Sequence, residues 1–214
     1  MLNLDPATLI SRVLTLIIAL TVHEFAHAFS ADRLGDTTPR SYGRLSLNPL
    51  RHLDVFGSLM LLIAGFGWAK PVPVNPYALG RRTPAGLMWV SLAGPASNFL
   101  LAALAALPLR FNLVPDVQLA AWLPTPASFL ITFIFINLGL MLFNLIPITP
   151  LDGDAIADYL LPPNWARVLQ SIRPYGPVVL MALLFVAPML GVNVIGWIIT
   201  PPIYALSGLL LGVF

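Results

Sequence analysis

Residues Leu9–Phe29 read LISRVLTLIIALTVHEFAHAF. A membrane-crossing helix needs roughly 20 mostly apolar residues, and this stretch meets that length before any other feature is considered. Near its end stand His23, Glu24 and His27 in the pattern HExxH. Positions i and i+4 share one face of a helix, so both imidazoles can reach a single ion, with Glu24 beside a water on it. Glu24 is the only glutamate of the chain. A charged group near the centre of a membrane helix costs at least about 3 kcal/mol on insertion scales, and ligation of a metal compensates that cost.

The composition extends the same reading to the rest of the chain. Hydrophobic residues make up 58% of the 214 and charged residues only 9%, against about half and a quarter in soluble domains. The lipid bilayer is therefore the expected surroundings. A net charge of +2 is too small to imply nucleic acid as a partner. Cysteine is absent, which excludes disulfides, thiol nucleophiles and thiolate metal sites. Structural zinc sites usually use cysteine, whereas catalytic ones use histidine and carboxylate with an open position. The start of the chain lacks the basic n-region and cleavage pattern of a signal peptide, so the first apolar segment is expected to be retained.

Two further segments, Gly86 to Leu109 and Ala127 to Ile146, qualify as spans. The apolar region from Pro177 to Phe214 is too long for one crossing. Gly191 and Pro201-Pro202 divide it either into one crossing and an interfacial piece or into two tilted crossings. Val55 to Gly67 is apolar but too short to cross, and is read as re-entrant or as a β-hairpin packed on the bundle. Lys70 to Pro76, KPVPVNP, is expected to be extended, either as a plain connector or as a strand or lid beside a substrate channel. The expected fold is an all-α polytopic membrane protein, a bundle of about four to six transmembrane helices with that short element after the first. One membrane-embedded domain accounts for residues 1–214.

If Val55 to Gly67 does not cross, nine of the eleven lysines and arginines fall on one face, with Arg12 and Arg110 opposite. Cytoplasmic loops hold such an excess. The reading is thus a multi-pass cell-membrane protein with HExxH near the cytoplasmic end of its helix. The chain emerges on that same side after Ile146.

A catalytic zinc site needs a third protein ligand. Asp5, Asp32, Asp36, Asp54 and Asp116 read as solvated groups, as does His52. Asp152 instead follows a helix broken by Pro147 and Pro150, just before Gly153, at the depth expected of His23 and His27. It is the spatial candidate. Asp154 and Asp158 lie beyond the turn and read as solvated.

Taken together, HExxH, Ser91-Leu92-Ala93-Gly94-Pro95-Ala96-Ser97-Asn98 and Leu151-Asp152-Gly153 resemble the site-2 protease family of intramembrane zinc metalloproteases. Gly43-Arg44-Leu45-Ser46-Leu47-Asn48-Pro49 and the KPVPVNP stretch also look like family sequence. The likeness covers about residues 9 to 160, in a short form without a PDZ-like insert or an appended regulatory domain. It implies one zinc ion per chain on His23, His27 and Asp152. It also implies Glu24 as catalytic acid/base, and Asn98 and Asn144 as groups positioning substrate or the oxyanion. The implied activity is hydrolysis of membrane protein or peptide substrates within the bilayer. The sequence leaves self-association into a homo-oligomer open. The competing class is a non-hydrolytic zinc-binding membrane protein that holds partner helices. Glu24 separates the two, because only a protease needs it as a base.

Overall fold

The computed structural model describes residues 5–54, 56–57, 60, 68–115, 117–118, 120 and 122–213. Most of the Val55–Gly67 stretch lies outside these residues. Its flanks are joined by an antiparallel bridge between Leu53 and Ala69, backed by a Lys70 N–H to His52 C=O hydrogen bond of 2.7 Å. No other strand pairing occurs among the described residues.

Helix α1 runs from Pro6 to Arg33. Proline is favourable in a first turn, and Asp5 caps that turn by accepting from the Thr8 N–H at 3.0 Å. The buried stripe of α1 consists of Ser11, Thr15, Ala19, His23, His27 and Ala31, repeating every fourth residue. Leu9, Leu14, Ile18 and Phe29 point outward. A soluble helix has the reverse pattern. In lipid, small and polar side chains belong inside, where they permit close packing and find partners.

Helix α2 (Pro76–Arg82) is short and capped by Asn75. Helices α3 (Gly86–Arg110) and α4 (Pro126–Asn144) match the two predicted spans. They pack on α1 and on each other. The core between α3 and α4 is Ala102, Ala106, Ile134, Leu138 and Met141. Helix α5 (Asp152–Leu160) follows a turn in which Gly153 lies against the backbone carbonyls of Leu145 and Ile146. A side chain at Gly153 would collide with them, so glycine is what lets Asp152 approach the end of α4.

The last region differs from the sequence reading. Helix α6 begins at Pro163 and continues to Met189, with a 3-10 turn at Arg173–Tyr175 and a π turn at Ala182–Val186. Helix α7 covers Val194–Leu211. The break falls at Gly191, whose φ of 79° favours glycine. Pro201 and Pro202 do not break the helix but lie inside α7. In lipid a helix has no better site for its remaining backbone groups, so it continues through the missing donors.

Helices α1, α3, α4, α6 and α7 are all long and apolar enough to cross a membrane. Arg110, at the end of α3, donates to the Leu209 and Leu210 carbonyls at 2.9 and 3.3 Å, so α7 runs parallel to α3. Near its start, α6 is tied to α5. Arg173 pairs with Asp154 and Asp158, both at 2.9 Å, and Gln170 donates to Asp158 at 2.8 Å. Those two aspartates are therefore ion-paired rather than simply solvated.

Candidate metal centre

The HExxH spacing places His23 and His27 on the buried face of α1, one turn apart, with ring centroids 4.6 Å from each other. Asp152, at the first turn of α5, meets them from the other side. Its Oδ2 lies 3.2 Å from His23 Nε2 and its Oδ1 3.3 Å from His27 Nε2. The two Nε2 atoms are 3.0 Å apart. Ligands about 2.0–2.1 Å from a tetrahedral zinc are separated by about 3.3 Å, close to all three distances. These are the residues that can hold a metal ion among those described.

The surrounding hydrogen bonds fix the tautomers. His27 Nδ1 faces the Val90 carbonyl at 2.7 Å. A carbonyl only accepts, so Nδ1 carries the proton and Nε2 is bare in the neutral ring. For His23 the argument runs through two amides. Asn137 Nδ2 donates to the Phe133 carbonyl at 2.9 Å, which makes Asn137 Oδ1 the acceptor from Asn98 Nδ2, also at 2.9 Å. Asn98 Oδ1 is then the acceptor facing His23 Nδ1 at 2.6 Å. Both histidines thus present bare Nε2 lone pairs toward a carboxylate.

Asp152 Oδ2 is buried and accepts no hydrogen bond. Two bare nitrogens and an anion converging without a donor call for a cation at their centre, and the donor set is that of a catalytic zinc site.

Gly94 on α3 makes room for this cluster. A Cβ there would fall 2.6 Å from His23 Nε2 and would also collide with His27 Nε2. The Glu24 side chain makes no hydrogen bond among the described residues. It lines a cavity of about 410 Å³ together with His23, His27, Asp152, Asn144 and Val72. The carboxylate is therefore free to engage a water in that cavity.

Two sequence expectations concerned asparagines. Asn144 lines the cavity, with one amide N–H directed to the Leu140 carbonyl at 2.9 Å. Asn98 does not face the cavity. It is wholly buried, with Oδ1 on His23 and Nδ2 shared between Asn137 and the Ala19 carbonyl. No donor remains for an oxyanion, and its placement is that of a partner to His23. Asn137 was not singled out in the sequence, although an amide in the apolar run PASFLITFIFINLGLMLFN was the available signal.

Two loop residues read as solvated are also buried. His52 is wholly inaccessible and donates from Nε2 to the Ser46 carbonyl at 2.6 Å. Asp36 is 1% exposed and accepts from the Thr38 and Asn75 backbone at 3.0 and 2.6 Å. The loop folds back on itself, and its turns use these side chains where sheet or helix bonds are lacking.

Fold and site together define a multi-pass helical membrane protein with a buried two-histidine, one-aspartate constellation and a free glutamate beside it. Curated proteins bearing the name "Putative zinc metalloprotease" are similar to it. YwhC of Bacillus subtilis is 42% identical over 178 residues, 83% of this chain and 80% of the relative. Rip2 of Mycobacterium tuberculosis is 36% identical over 186 residues, 85% of this chain and 67% of the relative. Rip2 of Mycolicibacterium smegmatis is 34% identical over 174 residues, covering 78% of this chain and 64% of that relative. The chain belongs to the family of zinc metalloproteases that includes YwhC. No family model matches the chain, and no solved structure does.

Proposed function

We propose that the chain is an intramembrane zinc endopeptidase of the site-2 protease kind, cutting membrane protein or peptide substrates within the cell membrane. In this reading residues 1–214 act as one membrane-embedded unit with its site near the cytoplasmic face. The observation that carries it is the shared cavity: three converging ligands and the unpartnered Glu24 open into one space among membrane helices.

His23, His27 and Asp152 would hold one zinc ion per chain, which when bound supplies Lewis acidity and lowers the pKa of a water to about 7. Glu24 accepts the proton of the attacking water and passes it to the leaving amine, a role worth about 10²–10⁴-fold. Val90 and Asn98 keep the two imidazoles in the tautomer that ligates. Asn144, with an amide N–H to spare at the cavity wall, would donate to the developing oxyanion, a contact worth on the order of 100-fold.

A substrate helix shields its own peptide bonds by hydrogen-bonding them internally, so it must unwind before cleavage. The segment Val72–Val74, outside any helix and biased toward extended backbone by Pro71 and Pro73, supports a route. Val72 and Val74 line the cavity, and their backbone groups have no hydrogen-bond partner among the described residues. An unwound substrate can pair with such an edge as an added strand. Val72→Pro deletes one N–H and should slow cleavage at unchanged zinc content; equal rates would remove the edge from the mechanism.

Zinc content per chain, measured on purified protein, tests the site itself. Wild type and Glu24→Gln should carry close to one equivalent, and His23→Ala and Asp152→Ala should lose it. Zinc retained without Asp152 would break the proposed ligand set.

A further inference from the structure

The Gly43–Pro49 motif has no part in the chemistry above, yet it supplies the most unusual cation of the molecule. The Arg44 side chain is buried, at 5% exposure, without a carboxylate partner among the described residues. It donates instead to three backbone carbonyls: Arg51 at 2.6 Å, Lys70 at 3.1 Å and Pro71 at 3.2 Å. A buried guanidinium is costly unless its donors are matched. Here they are matched by carbonyls on either side of the Leu53–Ala69 bridge. At the other end of the same segment, buried Asp36 accepts from the Asn75 N–H at 2.6 Å.

Between these two anchors lie only Val72, Pro73 and Val74. Pro71 and Pro73 have no N–H, and the remaining backbone groups of Val72 to Val74 are unpaired among the described residues. Held at one end by a cation on carbonyls and at the other by an anion on an amide, the segment is fixed at both ends although no strand pairs with it among the described residues. An unanchored three-residue stretch would instead lose conformational entropy on every binding event.

We infer that Arg44 and Asp36 are positioning residues for substrate: they pre-order Val72–Val74 as a template for an extended peptide beside the metal centre. This rests on the edge reading given above and goes beyond it by naming what holds the edge. Neither side chain touches the metal ligands, so their effect should fall on peptide binding and not on the ion.

Two probes separate these contributions in the zinc-loaded full chain. Acetohydroxamate reaches only the metal, whereas a Val-Ala-Val hydroxamate adds an extended backbone. In wild type the peptidyl probe should bind more tightly than acetohydroxamate. Arg44→Lys and Asp36→Ala should each erode that gain by about tenfold, leaving zinc content and acetohydroxamate affinity unchanged. Asp36→Asn, which keeps one acceptor for the Asn75 N–H and gives up the Thr38 contact, should recover part of the gain. The anchors are at opposite ends, so if one variant fails to retain zinc the other still decides. A gain undiminished in the folded variants overturns the inference while the edge reading stands. Equal affinity of the two probes in wild type overturns both, and acetohydroxamate that does not bind at all overturns the metal site beneath them.

Discussion

His23 shows how far a candidate ligand depends on residues outside the metal centre. Its ring orientation passes from the Phe133 carbonyl through Asn137 and Asn98, each link between 2.6 and 2.9 Å. The final donor is set by a backbone group that cannot reverse. Outer partners of this kind typically carry 10–100-fold in metal affinity. Asn137→Leu fits the apolar helix but frees Asn98 to turn its amide nitrogen toward His23. Zinc dissociation should therefore become about 10–100-fold more favourable, as read by competition with a chelator, while helix content stays constant. Zinc affinity equal to wild type would reduce Asn137 to a packing residue. HExxH announced that His23 and His27 share one buried face because its spacing is fixed by helix geometry. Asn137 escaped notice because its role depends on an adjacent helix that the sequence does not place beside it.

At the scale of elements, the site exists because α1 and α3 touch at Gly94. The Ser11-to-Ala31 stripe of small and polar residues on α1 brings the helices close, and the missing side chain at Gly94 leaves space for both imidazoles. Gly94→Ala adds one methyl group at the worst point. The helices must part or the rings must turn, so zinc occupancy should fall sharply while the helices remain; occupancy near one equivalent would show that the contact can relax. The spans α1, α3 and α4 were legible in the sequence, since hydropathy and length report them directly. So was the turn that brings Asp152 back, through two prolines and a glycine. Arg44, Asp36 and His52 were not, because a charged or polar residue in a loop reads as solvated until its carbonyl or amide partners are in place. The start of α6 was missed for a related reason: Pro163–Ile172 is amphipathic, with Trp165, Val168 and Ile172 exposed, and a search for apolar runs passes over it.

For the whole molecule the open question of topology is how many helices cross. Length and apolarity qualify five, but the packing constrains their directions. Helix α7 ends at Arg110, the end of α3 remote from Gly94 and the metal ligands. Its beginning therefore lies toward the metal-site half. Helix α6 is anchored in that same half at Arg173, and its Leu180 and Met181 line the cavity. With both of its ends in one half, α6 should run alongside the site rather than across the bilayer, leaving α1, α3, α4 and α7 as four crossings. The residue near the C-terminal end, Val213, then faces the side opposite the basic loops. The chain contains no cysteine, so single substitutions report cleanly. In intact cells an impermeant maleimide should label Val213→Cys directly, and Tyr77→Cys, 87% exposed in the basic region, only after permeabilisation. If both require permeabilisation, α6 crosses and the Arg110 contact with α7 does not hold in the membrane. That outcome would also remove the cavity wall formed by Leu180 and Met181, so the labelling pattern bears on the shape of the site as well as on the count of spans.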